Sequence, residues 1–291
     1  MSTRKAKRQG TIEAPRDTIK TTIEKIIVEA STRNKVKTKT MIITTFESEN
    51  SITIYIGSSE IYCIDCQLLK NTNSGIYETG ILTKARWDVV CSLDDPFKKG
   101  EDSIIIIKTL LSYINNKYPS VKQVYFTDLS TKECDDGSSV SLVGMKYFTD
   151  GTTWYETHFD VGMDEPHRIL YETMKSNATN KKENMTFDNF IGYANKNIKI
   201  PIDVLRNKYD NTTNWQDFFS YIRNEIGVSE YCKWLGKSGW FDTFMYAILK
   251  FTTMSLQFTF KVKQYEDIQY KIINYSGGKY YKSNTRKRLR R

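Results

Sequence analysis

The feature that most constrains this chain is a change of hydrophobic period near its middle. In the N-terminal half, Val36–Phe46, Ser51–Gly57 and Glu60–Leu69 are rich in Ile, Thr and Tyr, with Ser, Glu, Asn or Gly between the runs. β-Branched and aromatic residues in short alternating runs suit a pleated, half-buried surface, so these segments predict an antiparallel meander. After Pro166 the apolar residues recur every three to four positions, the spacing of one helix face. Runs of strands followed by runs of helices predict an α+β protein: a mainly antiparallel sheet in the N-terminal half, a helical C-terminal half and extended basic termini.

The same signals place the other elements. Ile19, Ile23, Ile26 and Ile27 after Pro15 fit a helix near 15–30. Further strands are expected at Tyr77–Thr83 and around Trp87–Cys91, then a loop at Asp94–Gly100. Ser103 or Asp102 is positioned to cap a helix whose face is Ile104, Ile107, Leu110, Leu111 and Ile114. Pro119 ends that helix near Tyr118. Val121–Leu129 alternates as a strand, Thr131–Ser139 is a polar turn containing Gly137, Val140–Phe148 is a second strand, and Asp150-Gly151 is a turn. Helices follow near 165–176, 186–195, 201–209, 214–226, 229–236 and 239–252, and Leu256–Tyr265 with Ile268–Tyr275 forms a closing hairpin. The expected organisation is a basic arm (1–12), a sheet-containing unit (13–175), a mainly helical subdomain with the closing hairpin (185–275) and a basic tail (276–291), with the polar loop 176–184 as the internal boundary.

Charge separates the ends from the body. The net charge is +9, from 43 basic and 34 acidic residues. Arg4, Lys5, Lys7 and Arg8 stand near the start without an acid among residues 1–9, and Lys279, Lys282, Arg286, Lys287, Arg288, Arg290 and Arg291 stand without one at the other end. Removing those 11 leaves residues 10–278 with 32 basic against 34 acidic side chains, a net of −2. A folded surface that reads nucleic acid usually carries a basic face. Here the ends, joined at the C-terminal side by Ser276-Gly277-Gly278, are the candidate partner-binding residues.

The five cysteines, Cys63, Cys66, Cys91, Cys134 and Cys232, are odd in number and the charged first residues lack an apolar stretch. Reduced thiols are therefore the expectation. No apolar run approaches the roughly 18 residues needed to cross a bilayer, so no membrane span is expected.

No complete catalytic or metal motif is present, and neither cofactor nor catalytic residue is assigned. Cys63-Ile64-Asp65-Cys66 has knuckle spacing but no second pair, and on a strand its two thiols face opposite ways; buried structural thiols are the simpler reading. His158 has Asp150, Glu156 and Asp160 nearby in sequence, as a general base with an orienting carboxylate would, against a structural histidine. Asp94-Asp95, Asp135-Asp136 and Asp164-Glu165 are acid pairs of the kind that hold divalent cations, and equally of the kind that sit solvated in loops. Trp215, Phe218, Phe219 and Ile222 form one helical stripe that fits core packing better than base stacking.

Two resemblances add to this. Lys98-Lys99-Gly100-Glu101-Asp102-Ser103, with the helix and strand after it, resembles the central unit of the GCN5-related acetyltransferases. In that family a glycine-rich loop offers N–H groups to the coenzyme A pyrophosphate at the helix start. This chain lacks the second glycine and has two acids there, so the resemblance implies a fold relic without its cofactor site. The segment Lys122–Phe159, with Gly151, Thr153, Trp154, Tyr155, Glu156 and Phe159, is similar to a stretch found in proteins of the nucleocytoplasmic large DNA viruses, as is the Gly-Gly hinge with a Lys/Arg/Tyr tail. That resemblance implies a non-enzymatic minor capsid or cement protein of the virion, assembled in the host cytoplasm, with other capsid proteins as partners. Binding of nucleic acid phosphates through the tails, and acyl transfer, are the alternatives.

Overall fold

The computed structural model describes residues 19–32, 35–57, 62–85, 100–128, 130–179, 185–194, 197–249 and 257–273. The fold is α+β: a mainly antiparallel sheet built largely from the N-terminal half, and helices through the C-terminal half. The sheet contains β1 (Lys20–Thr32), β2 (Lys35–Glu47), β3 (Ser51–Gly57), β4 (Tyr62–Lys70), β5 (Tyr77–Ala85), β6 (Gln123–Thr127), β9 (Val161–Gly162), β10 (Gln257–Lys261) and β11 (Ile268–Ile273). Their order is β11-β1-β2-β3-β4-β5-β6-β10-β9. Helix α1 (Glu101–Lys117) joins β5 to β6, the parallel pair of the sheet. Between β6 and β10 lie the hairpin β7 (Thr131–Glu133) and β8 (Ser139–Ser141), and helices α2 (Leu142–Asp150), α3 (Trp154–His158), α4 (Glu165–Thr179), α5 (Phe187–Tyr193), α6 (Ile202–Asn211), α7 (Trp215–Ile226), α8 (Val228–Gly236) and α9 (Trp240–Leu249).

Helix α1 runs beneath the sheet. Its apolar face, Ile106, Ile107, Leu110, Leu111 and Ile114, is buried with Ile26, Val28, Met41, Ile43, Ile54 and Leu68 of the strands. Polar contacts fix it along its length. Lys37 and Lys39 of β2 reach Glu101 at 2.5 Å and Asp102 at 3.3 Å. Ser112 accepts the Tyr265 N–H, and Tyr113 donates its hydroxyl to Glu24 of β1 at 2.6 Å.

The strand order also demands curvature. β10 stands eighth in the sheet and β11 first, so flat strands about 4.8 Å apart would separate them by about 34 Å. Residues 262–267 join them, and so short a link spans at most about 25 Å. The sheet therefore coils around α1 until its two ends approach. Val262 N–H bonds the Lys122 carbonyl, and Ser31 N–H bonds the Asp267 carbonyl, both at 2.9 Å.

Several expectations need correction. Residues 20–32 are strand β1, not part of a helix over 15–30. Six of the residues from Thr21 to Val28 are β-branched, Ile26, Val28 and Ala30 alternate inward, and pairing with β2 runs the whole length from Lys20↔Glu47 to Thr32↔Lys35. The expected strand Val140–Phe148 is mostly helix α2, because Ser141 caps it by accepting the Gly144 N–H. Thr131–Ser139 contributes a hairpin rather than only a turn, with Gly137 at φ 79°. β10 and β11 do not pair with each other: β10 lies between β6 and β9, and β11 lies on β1. Both strands belong to the nine-stranded sheet. Gly100, not Ser103 or Asp102, stands at the α1 cap position, and it donates its N–H to Ser103 Oγ at 3.3 Å. The thiols are not all reduced: Cys134 bonds Cys232, Cys63 is also disulfide-bonded, and Cys66 is free and buried. The helices from 165 onward lie where their period places them. The expected strand at Trp87–Cys91, the loop Asp94–Lys99 and residues 180–184 of the boundary loop lie outside the described residues.

The helical layer closes on aromatic rings. Trp215, Phe218 and Phe219 of α7 meet Phe190 of α5, and Trp215 and Phe219 also meet Phe244 of α9, with centroid separations from 4.9 to 6.1 Å. Gly144 of α2 lets α9 approach: a Cβ there would lie 2.0 Å from Met245 Sδ. Gly144→Ala should therefore cost about 1–3 kcal/mol in denaturant unfolding, and should cost less when made in a Met245→Ala background. An equal cost of Gly144→Ala in both backgrounds would place the clash elsewhere.

Candidate functional site

In sheets with parallel strands, ligand sites form outside the carboxyl ends of those strands, where the connections leave in different directions. This chain has one such place among the described residues: the carboxyl ends of β5 and β6. The strands pair only from Thr79↔Gln123 to Ile81↔Tyr125. Beyond Ile81 they part. Asp65 and Cys66 of β4 face Lys84 and Leu82, leaving Thr83 as the extra residue of a bulge, with its hydroxyl bonded to the Asp65 carbonyl at 3.1 Å.

Asp128 follows β6 at this edge and is 5% exposed. It continues the inward alternation of Val124 and Phe126, putting a carboxylate at a core position of the strand. One oxygen accepts the Ser130 N–H at 2.9 Å and the Ser130 hydroxyl at 2.5 Å. Burial raises its pKa, and these two bonds offset only part of the rise. Tyr155 of α3 packs its ring on Phe126 at 4.5 Å, and its hydroxyl is pushed up by burial and then by the Asp128 charge. The polar residue at a period-two core position was the sequence signal for Asp128, and the strand reading passed over it.

The start of α1 faces the same edge, because the chain returns through α1 from the end of β5 to the start of β6. Its first turn carries Glu101 and Asp102, which already complement the positive helix end. Asp102, 2% exposed, lies against Lys39, and Glu101 lies against Lys37. An anion entering here would meet two carboxylates whose cationic partners come from β2.

The segment from Gly151 to Phe159 is a turn, a cap and an aromatic cover. Gly151 ends α2 at φ 73°. Thr153 accepts the Glu156 N–H at 3.2 Å while Glu156 accepts the Thr153 N–H at 2.8 Å, a reciprocal cap that starts α3. Tyr155 and Phe159 then cover Phe260 of β10, at 5.7 and 5.2 Å.

The remaining sequence candidates are dispersed. His158 packs edge-on against Trp154, and burial followed by Lys146 and Lys108 lowers its pKa. The three carboxylates considered as its orienter are engaged elsewhere: Asp150 with Lys146 (2.6 Å) and Arg223 (2.9 Å), Glu156 with Tyr171 and Lys175, and Asp160 with Lys261. Asp135 takes the Ser229 hydroxyl, Asp136 is held low by the Ser138 side chain and N–H, Asp164 bonds His167, and Glu165 takes a forked contact from Arg168. Among the described residues no group of three or more His, Cys, Asp or Glu could hold a metal ion. Asp94-Asp95 lies outside the described residues. The Trp215–Ile222 stripe is core. Burial, then Asp65, pushes the Cys66 thiol well up. No helix among the described residues is long and apolar enough to cross a membrane.

The candidate partner-binding residues Arg4, Lys5, Lys7, Arg8, Lys279, Lys282, Arg286, Lys287, Arg288, Arg290 and Arg291 lie outside the described residues, as does the Ser276–Gly278 hinge. The first and last described strands are neighbours in the sheet. β11 runs antiparallel to β1 and finishes with Ile273 opposite Lys25, while β1 begins at Lys20. Both exits are therefore at the same end of the same sheet edge, five residues or about 17 Å apart along the strand.

No family model, no curated protein and no solved structure matches this chain.

Asp128 yields a pH test. Its folded-state pKa lies above the ordinary carboxylate value of 3.8. Its proton thus favours the folded state: the contribution is fully present below 3.8 and is lost as pH rises through the raised value. Asp128→Asn should flatten this part of the profile and gain on the wild type as pH rises through that window, read by urea unfolding at a series of pH values. Parallel profiles would show that Asp128 does not titrate differently on folding.

Proposed function

We propose that this chain is a non-enzymatic attachment protein, in which a folded body of near-zero net charge presents two basic arms from one corner to acidic surfaces of neighbouring proteins in a larger assembly. The observation that supports this reading is the β1–β11 register, in which β1 begins and β11 ends at the same end of one sheet edge. Seven cationic residues stand in the last 13 positions, and a tail of that length reaches about 40 Å when extended. Arginine guanidinium groups form forked bonds with carboxylates. The similarity of Lys122–Phe159 to large DNA virus proteins supports a minor capsid or cement role in the virion, with other capsid proteins as partners. Removal of residues 277–291 should leave the melting temperature of the body unchanged and abolish incorporation into particles. Normal incorporation of the truncated chain would remove this reading. Steeply salt-dependent retention on DNA by the full chain, lost in the truncation, would favour nucleic acid phosphates as the arms' target.

A second reading is acyl transfer, favoured by one specific observation: β5 and β6 are parallel, joined by α1, and part at the Thr83 bulge. This is the helix–strand arrangement in which the resemblance to the GCN5-related acetyltransferases lies. Millimolar coenzyme A should then raise the melting temperature by several degrees. An unchanged transition would leave that unit as scaffold only.

A further inference from the structure

The hairpin β7–β8 and helix α8 are joined by the bond between Cys134 and Cys232, which are 98 positions apart in sequence and 5.6 Å apart between Cα atoms. Cys134 sits at the mouth of the hairpin, where its carbonyl accepts the Gly137 N–H and its own N–H bonds the Ser138 carbonyl. Cys232 lies within α8. Other contacts make the same junction: Ser229 of α8 donates to Asp135, and a Cβ on Gly236 would lie 2.8 Å from Ser138 Oγ. Because Ser141 at the end of β8 caps α2, the bond ties the start of α2 to α8 as well. The two cysteines are 6% and 1% exposed, so the packed protein shields both sulfurs from an exchanging thiol.

The other described cysteines fit a chain that is oxidised with a defined outcome. Cys63 is disulfide-bonded although fully buried. Cys66, three positions along the same strand, is the free cysteine of the described residues and is fully buried. A thiolate is the species that attacks a disulfide. Burial, then Asp65, raises the Cys66 thiol, which disfavours its thiolate in the packed sheet.

We infer that this chain is the substrate of a thiol-oxidising reaction, and that closure of Cys134 onto Cys232 locks the β7–β8 hairpin and the start of α2 to α8. The reaction class is thiol–disulfide exchange with a disulfide acceptor, either small-molecule or protein. One cysteine thiolate attacks an acceptor sulfur, forming a mixed disulfide and releasing one acceptor thiolate. The second cysteine thiolate then attacks the chain's own sulfur in that mixed disulfide and expels the other acceptor thiol. Two electrons and two protons pass to the acceptor, which leaves as two thiols. Since both sulfurs are sealed in the finished fold, oxidation takes place before the hairpin packs on α8 or during its local opening.

The test is to unfold and reduce the full chain, then refold it with a mixture of glutathione and glutathione disulfide or with glutathione alone. Free thiols are blocked with iodoacetamide and the protein is digested with trypsin. Oxidative refolding should yield peptide 133–146 linked to peptide 224–233. It should also raise the melting temperature by roughly 10 °C over the reduced chain. The Cys134→Ser, Cys232→Ser double variant, which keeps the Cys63 bond, should melt below the wild-type chain after oxidative refolding and with it after refolding in glutathione alone. Recovery of both peptides alkylated from folded, oxidatively treated protein would overturn the inference. A linked pair with no difference in melting from the double variant would also overturn it, because the bond would then lock nothing. Should the double variant fail to fold, graded reduction of the oxidised protein, with alkylation of peptides 133–146 and 224–233 followed against the melting temperature at each step, isolates this bond from that of Cys63.

Discussion

A sheet of this width can share one core with a single helix only by bending around it, and the short link from β10 to β11 leaves no other shape. Most of the architecture follows from that bend. It brings the last strand of the chain onto the first, buries most of α1, and makes α1 a polar as well as an apolar centre. Lysines of β2 hold its first turn, Glu24 of β1 holds Tyr113 and Lys117, and the backbone before β11 holds Ser112. Burial of Asp102 at the start of α1 is tolerable because Lys39 approaches from the strand that wraps it.

The helical half depends on different physics. Its helices are short, and α2 and α9 are apolar around most of their circumference, so isolated helicity contributes little. Aromatic rings from α2, α5, α7 and α9 interlock instead, with Gly144 allowing the closest approach. The disulfide from the β7–β8 hairpin to α8 joins this layer near the point where the chain leaves the sheet.

Where local period and tertiary demand agree, the sequence was legible. The β2–β4 meander and the helices from α4 onward sit where their spacing puts them. The failures have local causes. Isoleucines at 19, 23, 26 and 27 satisfy a helical spacing, but Thr21, Thr22 and Val28 add the branching that favours a strand, and only the long partner β2 decides between them. Val140–Phe148 carries β-formers, yet Ser141 as a cap and apolar residues on every side make it a buried helix. The fate of β10 and β11 was invisible, because adjacency in sequence suggests a hairpin and only the coiled sheet separates them. Cysteine pairing across 98 positions has no local signature at all. At the carboxyl ends of β5 and β6, Asp128 was legible as a broken alternation, whereas the bulge at Thr83 depends on register with β4 and was not.

The placement of the two exits also has a mechanical side. β1 and β11 are antiparallel neighbours whose outer ends lie together, so drawing the N-terminal and C-terminal arms apart would open their ladder rung by rung from Lys25↔Ile273 toward Ala30↔Ile268. Such peeling loads one pair of hydrogen bonds at a time, whereas arms leaving from opposite ends would load the whole ladder in shear. If both arms grip a single neighbour, tension bypasses the sheet altogether, and the body hangs from its corner unstressed.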